Sequence, residues 1–283
     1  MATLVAQLQP PVKGLNYRTP AISLDPQEAL LLDNVLPQPS HAELRSGYVD
    51  HVTNIPGSVM TLAPFIGNLF QDNRVFAFNN QGDVFDATLS TDAPVPLGHT
   101  NQTDGIWDYT NSQGVDQNYL LLVSPNGGYW TYSTAGGFVE RTITGDGAGK
   151  RFSAVFNWKD RVWLIEENST KAYYFDIGAV QGDTHVFDFG PVMNQGGFLS
   201  FGSNWTFNAG YDIDDYLVLV TTSGEVLVYK GVDPTQADAF LLQGVWYVGR
   251  TPAGNKSFTT FGGELFIMSA LGVVPVSKLV NGG

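Results

Sequence analysis

The residue types that carry chemistry are sparse in this sequence, and few stand at useful spacings. There is no cysteine, which removes disulfides, thiolate nucleophiles, cysteine–zinc sites and iron–sulfur clusters. The four histidines, His41, His51, His99 and His185, include no pair four residues apart, the spacing that sets two imidazoles on one metal-facing side of a helix. The run Gly145-Asp146-Gly147-Ala148-Gly149-Lys150-Arg151 approximates a phosphate loop. Thr144, however, stands at the first glycine position, and Arg151 stands where Ser or Thr must reach magnesium. It reads as a turn. No G-x-S-x-G elbow occurs, so acyl transfer by that route has no support. Asp212, Asp214 and Asp215 form the densest acidic group. Their hard oxygens suit calcium, but the spacing and distal Glu of an EF-hand are missing, and a solvated acidic turn is the other reading. The expectation is a protein that is not an enzyme and carries no metal or cofactor.

The elements that would position any site must come from a chain of 283 residues with only 14% charged residues and 13% aromatics. An average globular protein has about 25% charged residues. Glu and Lys, which usually fill exposed helix faces, occur seven times each. Glycine and proline are abundant, at 32 and 15. This composition argues against a helical bundle and for many short strands joined by tight turns. The net charge of −13 is spread along the chain, so the surface repels phosphate rather than gripping nucleic acid. No apolar run approaches the length of a membrane span. The start, Met1 to Gly14, lacks a basic, then apolar, leader, which predicts synthesis in the cytoplasm.

From Ala42 onward an internal repeat appears. Five segments share a layout in which an intensely apolar strand is followed by a Gly- or Asn-containing turn and an alternating strand. The apolar strands are 74–78, 119–123, 161–165, 216–220 and 264–268, centred on Phe76, Leu121, Trp163, Val218 and Phe266. The alternating strands are 83–86, 129–132, 172–175, 225–229 and 273–276. A period of about 40–50 residues with roughly four strands per unit is the signature of a β-propeller. The predicted fold is therefore all-β: a propeller of about five four-stranded blades over 42–283, with six possible if the long 165–215 interval hides one. A strand apolar on both faces is the expected mid-blade strand, packed between two neighbours.

The last repeat stops after its third strand. Residues 42–52, with Leu44, Gly47, Tyr48 and Val49, resemble the outer strand 242–250 that ends the fourth repeat. They are expected to pair with 273–278 and close the ring, leaving no open blade edge. Residues 1–41 form an extended, proline-rich arm. Within it Asp25, Pro26 and Glu28 carry helix-start signals, which predict a short helix closing at Asn34. Leu30, Leu31 and Leu32 on that helix and Arg18 before it are the expected anchors on another chain.

Four stretches of the N-terminal region carry a resemblance: Gly14-Leu15-Asn16-Tyr17-Arg18-Thr19-Pro20, Asp25-Pro26-Gln27-Glu28-Ala29, Leu32-Asp33-Asn34-Val35-Leu36-Pro37 and Glu43-Leu44-Arg45-Ser46-Gly47-Tyr48. Over about 35 residues this region resembles the start of a family of bacteriophage virion proteins, the tail nozzle or hub proteins of short-tailed phages, also called packaged-DNA stabilisation proteins. In that family a G-L-N-x-R-x-P arm and an L-x-N-x-x-P stretch precede E-L-R-x-G-Y and a propeller-like body. The resemblance implies a homo-oligomeric ring, a hexamer, below the portal and adaptor, in contact with other tail or head–tail connector proteins. It implies a virion location, an extended DNA exit channel and retention of the packaged genome, with DNA passing without being gripped. Two rival readings stay open. One is a carbohydrate-binding or carbohydrate-cleaving propeller using Trp107, Trp130 and Trp205, although the Ser-x-Asp-x-Gly-x-Thr-Trp turns of sugar-hydrolysing propellers are absent. The other is a cytoplasmic propeller scaffold for protein partners.

Overall fold

The computed structural model of the chain describes residues 9–100, 102–208, 213–236, 238–254 and 256–281. The chain divides into two units, Met1–Asp50 and His51–Gly283. In the first unit β1 (Gly14–Leu15) runs parallel to β2 (Glu28–Ala29), and β3 (Val35–Pro37) pairs antiparallel with β4 (Ala42–Leu44).

Two expectations fail in this unit. Residues 26–33 are not helical; β2 and bends replace the helix. The helix-start signals are used locally in another way. The Asp25 carboxylate accepts from the Gln27 amide at 2.8 Å and pairs with Lys13 Nζ. Glu28 accepts from Asn16 Nδ2 at 2.8 Å. Side-chain bonds of this kind offer the backbone an alternative to helix. The ring-closing strand also fails. Residues 42–44 pair with 35–37, with Leu44 opposite Val35, and Gly47, Tyr48 and Val49 lie in no strand. Closing a four-residue turn onto β3 takes far less chain entropy than closing onto a strand more than 200 residues away.

In the second unit the repeat folds as five successive sheets, the blades of a five-bladed β-propeller. Blade one holds β5 (Val59–Phe65), β6 (Arg74–Asn79), β7 (Asp83–Asp86) and β8 (Pro96–His99). Blade two holds β9 (Asp108–Gln113), β10 (Asn118–Ser124), β11 (Gly128–Ser133) and β12 (Gly137–Glu140). Blade three has five strands: β13 (Ile143–Gly145), β14 (Phe152–Trp158), β15 (Arg161–Glu166), β16 (Lys171–Phe175) and β17 (Gly182–Asp188). Its first strand lies outermost and pairs parallel with β17. Blade four holds β18 (Leu199–Asn208), β19 (Ile213–Thr221), β20 (Glu225–Gly231) and β21 (Phe240–Tyr247). Blade five has three strands, β22 (Phe258–Phe261), β23 (Glu264–Ser269) and β24 (Gly272–Pro275), followed by α1 (Val276–Asn281). The long 165–215 interval is taken up by β16, β17 and β18 and contains no sixth sheet among the described residues.

The second strands are buried on both faces because alternate residues serve different blade junctions. On β10, Leu120 and Leu122 face blade one, while Leu121 and Val123 face blade three. On β15, Val162 and Leu164 face blade two, while Trp163 and Ile165 face blade four. On β19, Leu217 and Leu219 face blade three, while Val218 and Val220 face blade five. Phe76, Leu121, Trp163 and Val218 are fully buried, as their equivalent positions require.

Phe266 is only partly buried, although its neighbours Leu265 and Ile267 are fully buried against blade four. It lies on the opposite face of β23. Among the described residues no cluster of buried apolar side chains joins blade five to blade one. The flank of blade one, at Ala77, Phe85 and Ala87, is instead covered by Val52 and Ile55. The Val52–Thr91 bridge and the His51 Nε2–Ala87 carbonyl contact at 3.2 Å tie this segment to blade one.

Candidate functional site

The innermost strands of blades two to five, β9, β14, β18 and β22, converge on a cavity of about 450 Å³. It is lined by residues of β9, β14 and β18 together with Lys256, Phe258, Thr260 and Gly263. Its wall includes Asp108, the first residue of β9, only 7% exposed. Its Oδ2 accepts from the Val155 amide of β14 at 2.8 Å, so the side chain bridges blades two and three. Its Oδ1 pairs with Lys256 Nζ, reaching from the segment before β22. The same ammonium lies 4.3 Å from the centre of the Tyr109 ring, in a cation–π contact. The ion pair thus ties blade five to blade two.

Burial pushes the Asp108 carboxyl above its usual range; the Lys256 charge and hydrogen bond and the Val155 and Tyr109 amides oppose that shift without cancelling it. Asn157 of β14 donates to the Asn111 carbonyl at 2.6 Å. Its buried Oδ1 has no hydrogen-bond partner among the described residues. The cavity is therefore lined by a buried carboxyl paired with an ammonium, an aromatic ring, the Asn157 side chain, and Thr110, Thr206 and Thr260. Of these hydroxyls, Thr206 Oγ1 donates to the Asp215 carboxylate at 2.7 Å. No group of three or more His, Cys, Asp or Glu side chains suited to a metal occurs among the described residues.

The residues singled out from sequence lie elsewhere. Arg18 is exposed, and its amide donates to Asn16 Oδ1 at 2.9 Å. Asn16 organises that loop, because its side chain also accepts from the Thr19 amide and donates to Thr19 Oγ1 and Glu28. Leu30 and Leu31 are exposed and Leu32 is half-buried. Leu44, Tyr48 and Val49 are exposed, Val49 to 93%, and a side chain at Gly47 would meet nothing within 4 Å.

In the acidic group, Asp212 and the Asp214 side chain fall outside the described residues. Asp215 accepts from Thr206 Oγ1 at 2.7 Å and lies 3.7 Å from Lys159. The glycine-rich run 145–151 is a turn beside β17. Lys150 there pairs with Glu166 at 3.0 Å and Arg151 with Glu167 at 3.1 Å. The tryptophans weighed as sugar platforms serve packing: Trp107 and Trp205 are buried and Trp130 is half-buried in the junction of blades one and two. Sequence reasoning missed Asp108, Tyr109, Asn157 and Lys256. The available signals were a carboxylate directly after Trp107 at a strand start and a lysine isolated in a long stretch without others.

No family model matches the chain, and no curated protein matches it. Solved structures do. The chain is similar to BBS1N in complex with ARL6DN, with a TM-score of 0.47 and 10% identity over 77% of this chain and 64% of that one. It thus spans a little under two thirds of that protein's length. It is also similar to the extracellular domain of a putative hybrid two-component system from B. thetaiotaomicron, with a TM-score of 0.46 and 13% identity over 75% and 27% of the two chains. A third is YCF48 bound to D1 peptide, with a TM-score of 0.40 and 8% identity over 83% and 66%. No helix among the described residues is long and apolar enough to cross a membrane.

Proposed function

We propose that this chain is a structural protein of a bacteriophage tail, a nozzle or hub subunit. In this reading it assembles through its N-terminal unit into a hexameric ring below the portal and adaptor. The ring extends the DNA exit channel, holds the packaged genome and contacts other tail or head–tail connector proteins. The protein is made in the host cytoplasm and works in the virion, by shape and charge rather than by catalysis. The net charge of −13 supports passage of DNA without gripping.

The observation that carries this reading is the N-terminal unit itself. The residues of the G-L-N-x-R-x-P stretch build a bonded loop around Asn16, which leaves Tyr17 and Arg18 facing outward. Ile22, Leu31, Leu44, Tyr48 and Val49 are also largely exposed. So many large apolar side chains on about 40 residues call for a partner surface. A second copy is the partner that a ring requires. Arg18, whose guanidinium has no partner among the described residues, supplies the polar contact.

The test is a truncation lacking residues 1–50, studied by circular dichroism, light scattering and negative-stain microscopy beside the full chain. The full chain should form rings, and the truncated chain should be a folded, β-rich monomer. Rings of unchanged size from the truncated chain would remove the arm as the assembly element. A full chain that stays monomeric at high concentration would overturn the ring.

A further inference from the structure

We propose that the propeller cavity is a binding site for an alkylammonium ligand, a small primary amine or diamine, and that Lys256 is its built-in occupant. A carboxylate as buried as Asp108 needs a cation and hydrogen bonds to remain charged. The fold fixes half of that requirement rigidly, because Oδ2 is held by the Val155 amide at 2.8 Å. The other half is met by a side chain of a different kind. Lys256 lies outside the strands, its side chain is half exposed, and it reaches Asp108 from blade five.

What surrounds the ammonium recognises any ammonium. Asp108 Oδ1 supplies the negative charge, and the Tyr109 ring, with its centre 4.3 Å away, supplies the electron-rich face. Asn157, whose buried Oδ1 has no hydrogen-bond partner among the described residues, lines the same cavity. Nothing in that set depends on the ammonium being tethered to this chain. The cavity volume of about 450 Å³ exceeds what one lysine tip fills. A free amine that enters displaces Lys256 into solvent without breaking a strand bond, since Lys256 contributes none. Lys256 thus acts as an intramolecular competitor that sets the threshold of the site.

Competition makes a specific signature. Removing an internal competitor raises apparent affinity by the reciprocal of the fraction of sites it had left free. The probes are n-butylamine, which reproduces the lysine side chain, and 1,4-diaminobutane. Butanol and sodium chloride at matched concentration are the controls. Isothermal titration and thermal melting are measured on the full chain and on Lys256→Ala. The variant should melt below the parent, bind n-butylamine at least about tenfold tighter, and recover melting temperature saturably as the amine is added. Butanol and salt should do neither.

Adding Asp108→Asn to Lys256→Ala should abolish binding. Should that double variant fail to fold, Tyr109→Leu in the Lys256→Ala background must weaken binding several-fold. Should Lys256→Ala itself fail to fold, Lys256→Gln, which keeps a donor for Asp108, is read by the same thresholds. Equal amine affinity, within about twofold, with and without Lys256 would overturn the proposal. So would amine binding that survives loss of both Asp108 and Tyr109.

Discussion

Replacing Trp163 by alanine tests the blade register directly. Trp163 is fully buried between blades three and four. Its ring centre lies 4.7 Å from that of Tyr174, 6.2 Å from Phe156, 6.3 Å from Trp158 and from Phe240, and 6.5 Å from Phe189. A buried tryptophan removes about 250 Å² from water, worth roughly 6 kcal/mol at about 25 cal/mol per Å². The alanine methyl retains part of that. The Trp163 Nε1 has no partner among the described residues, so its loss relieves about 1–3 kcal/mol of desolvation. The rigid aromatic wall around the gap prevents collapse, which holds the net loss near 3–5 kcal/mol. For a domain of this size each kcal/mol moves the melting temperature by about 2–4 °C, so calorimetry should show a drop of roughly 6–20 °C. Phe266→Ala, at the equivalent position of blade five, should lose only about 1–2 kcal/mol, because that side chain is already partly in water. A Trp163→Ala variant melting within about 2 °C of the parent, or a larger loss at Phe266, would refute the assignment of these faces.

Two further outcomes follow from single contacts. The Tyr129 hydroxyl donates to the Val180 carbonyl at 2.6 Å inside the junction of blades two and three. Tyr129→Phe should lower the urea midpoint by an amount equivalent to about 1–2 kcal/mol, with unchanged slope, because the buried carbonyl loses its partner. Burial alone would raise the Glu166 carboxyl, but hydrogen bonds from Lys150, Ser169 and Tyr173 and the Lys150 charge outweigh it and hold the group below its usual range. A depressed carboxylate contributes stability above its unfolded-state value, about 4.3, and loses it as pH falls through the folded value. The stability gap between the parent and Glu166→Gln should therefore shrink as urea unfolding is repeated from pH 6 down to pH 3. A gap that does not change with pH would assign it to packing instead.

The propeller was legible because its strongest constraint is local. Leu120, Leu121, Leu122 and Val123 are consecutive and all buried, and only a strand sandwiched between two sheets gives four neighbours the same need. The apolar run recurs at four other places, and around Ala77, Trp163 and Val218 it is buried likewise, whereas Phe266 and Met268 of the last run are not fully buried; the recurrence fixes both the period and the blade count. Residues 25–52 were misread because their signals are ambiguous at short range. Asp25, Pro26 and Glu28 suit a helix start, yet each carboxylate found a closer partner in Lys13, the Gln27 amide or Asn16. Residues 42–52 match an outer strand in composition. Composition does not say which edge a strand joins, and residues 42–44 pair with the edge four residues away.

The cavity was illegible for a different reason. Asp108 and Lys256 sit in different blades, far apart in sequence, and neither belongs to a motif. Their meeting follows from the fold: the innermost strands of blades two to five line one cavity, so single residues from distant repeats become neighbours there. The repeat explains where such a site must lie without saying which side chains fill it. The charge balance adds a constraint that sequence reading can use. With 14 basic residues against 27 acidic ones, and Lys256 the one lysine between Lys230 and Lys278, a cation before the first strand of the last blade is a marked choice. A buried carboxylate at the start of another first strand is equally marked, because it brings a desolvation penalty that hydrophobic blade packing would avoid. Two such departures, both at inner-strand starts of one propeller, are best accounted for by each other.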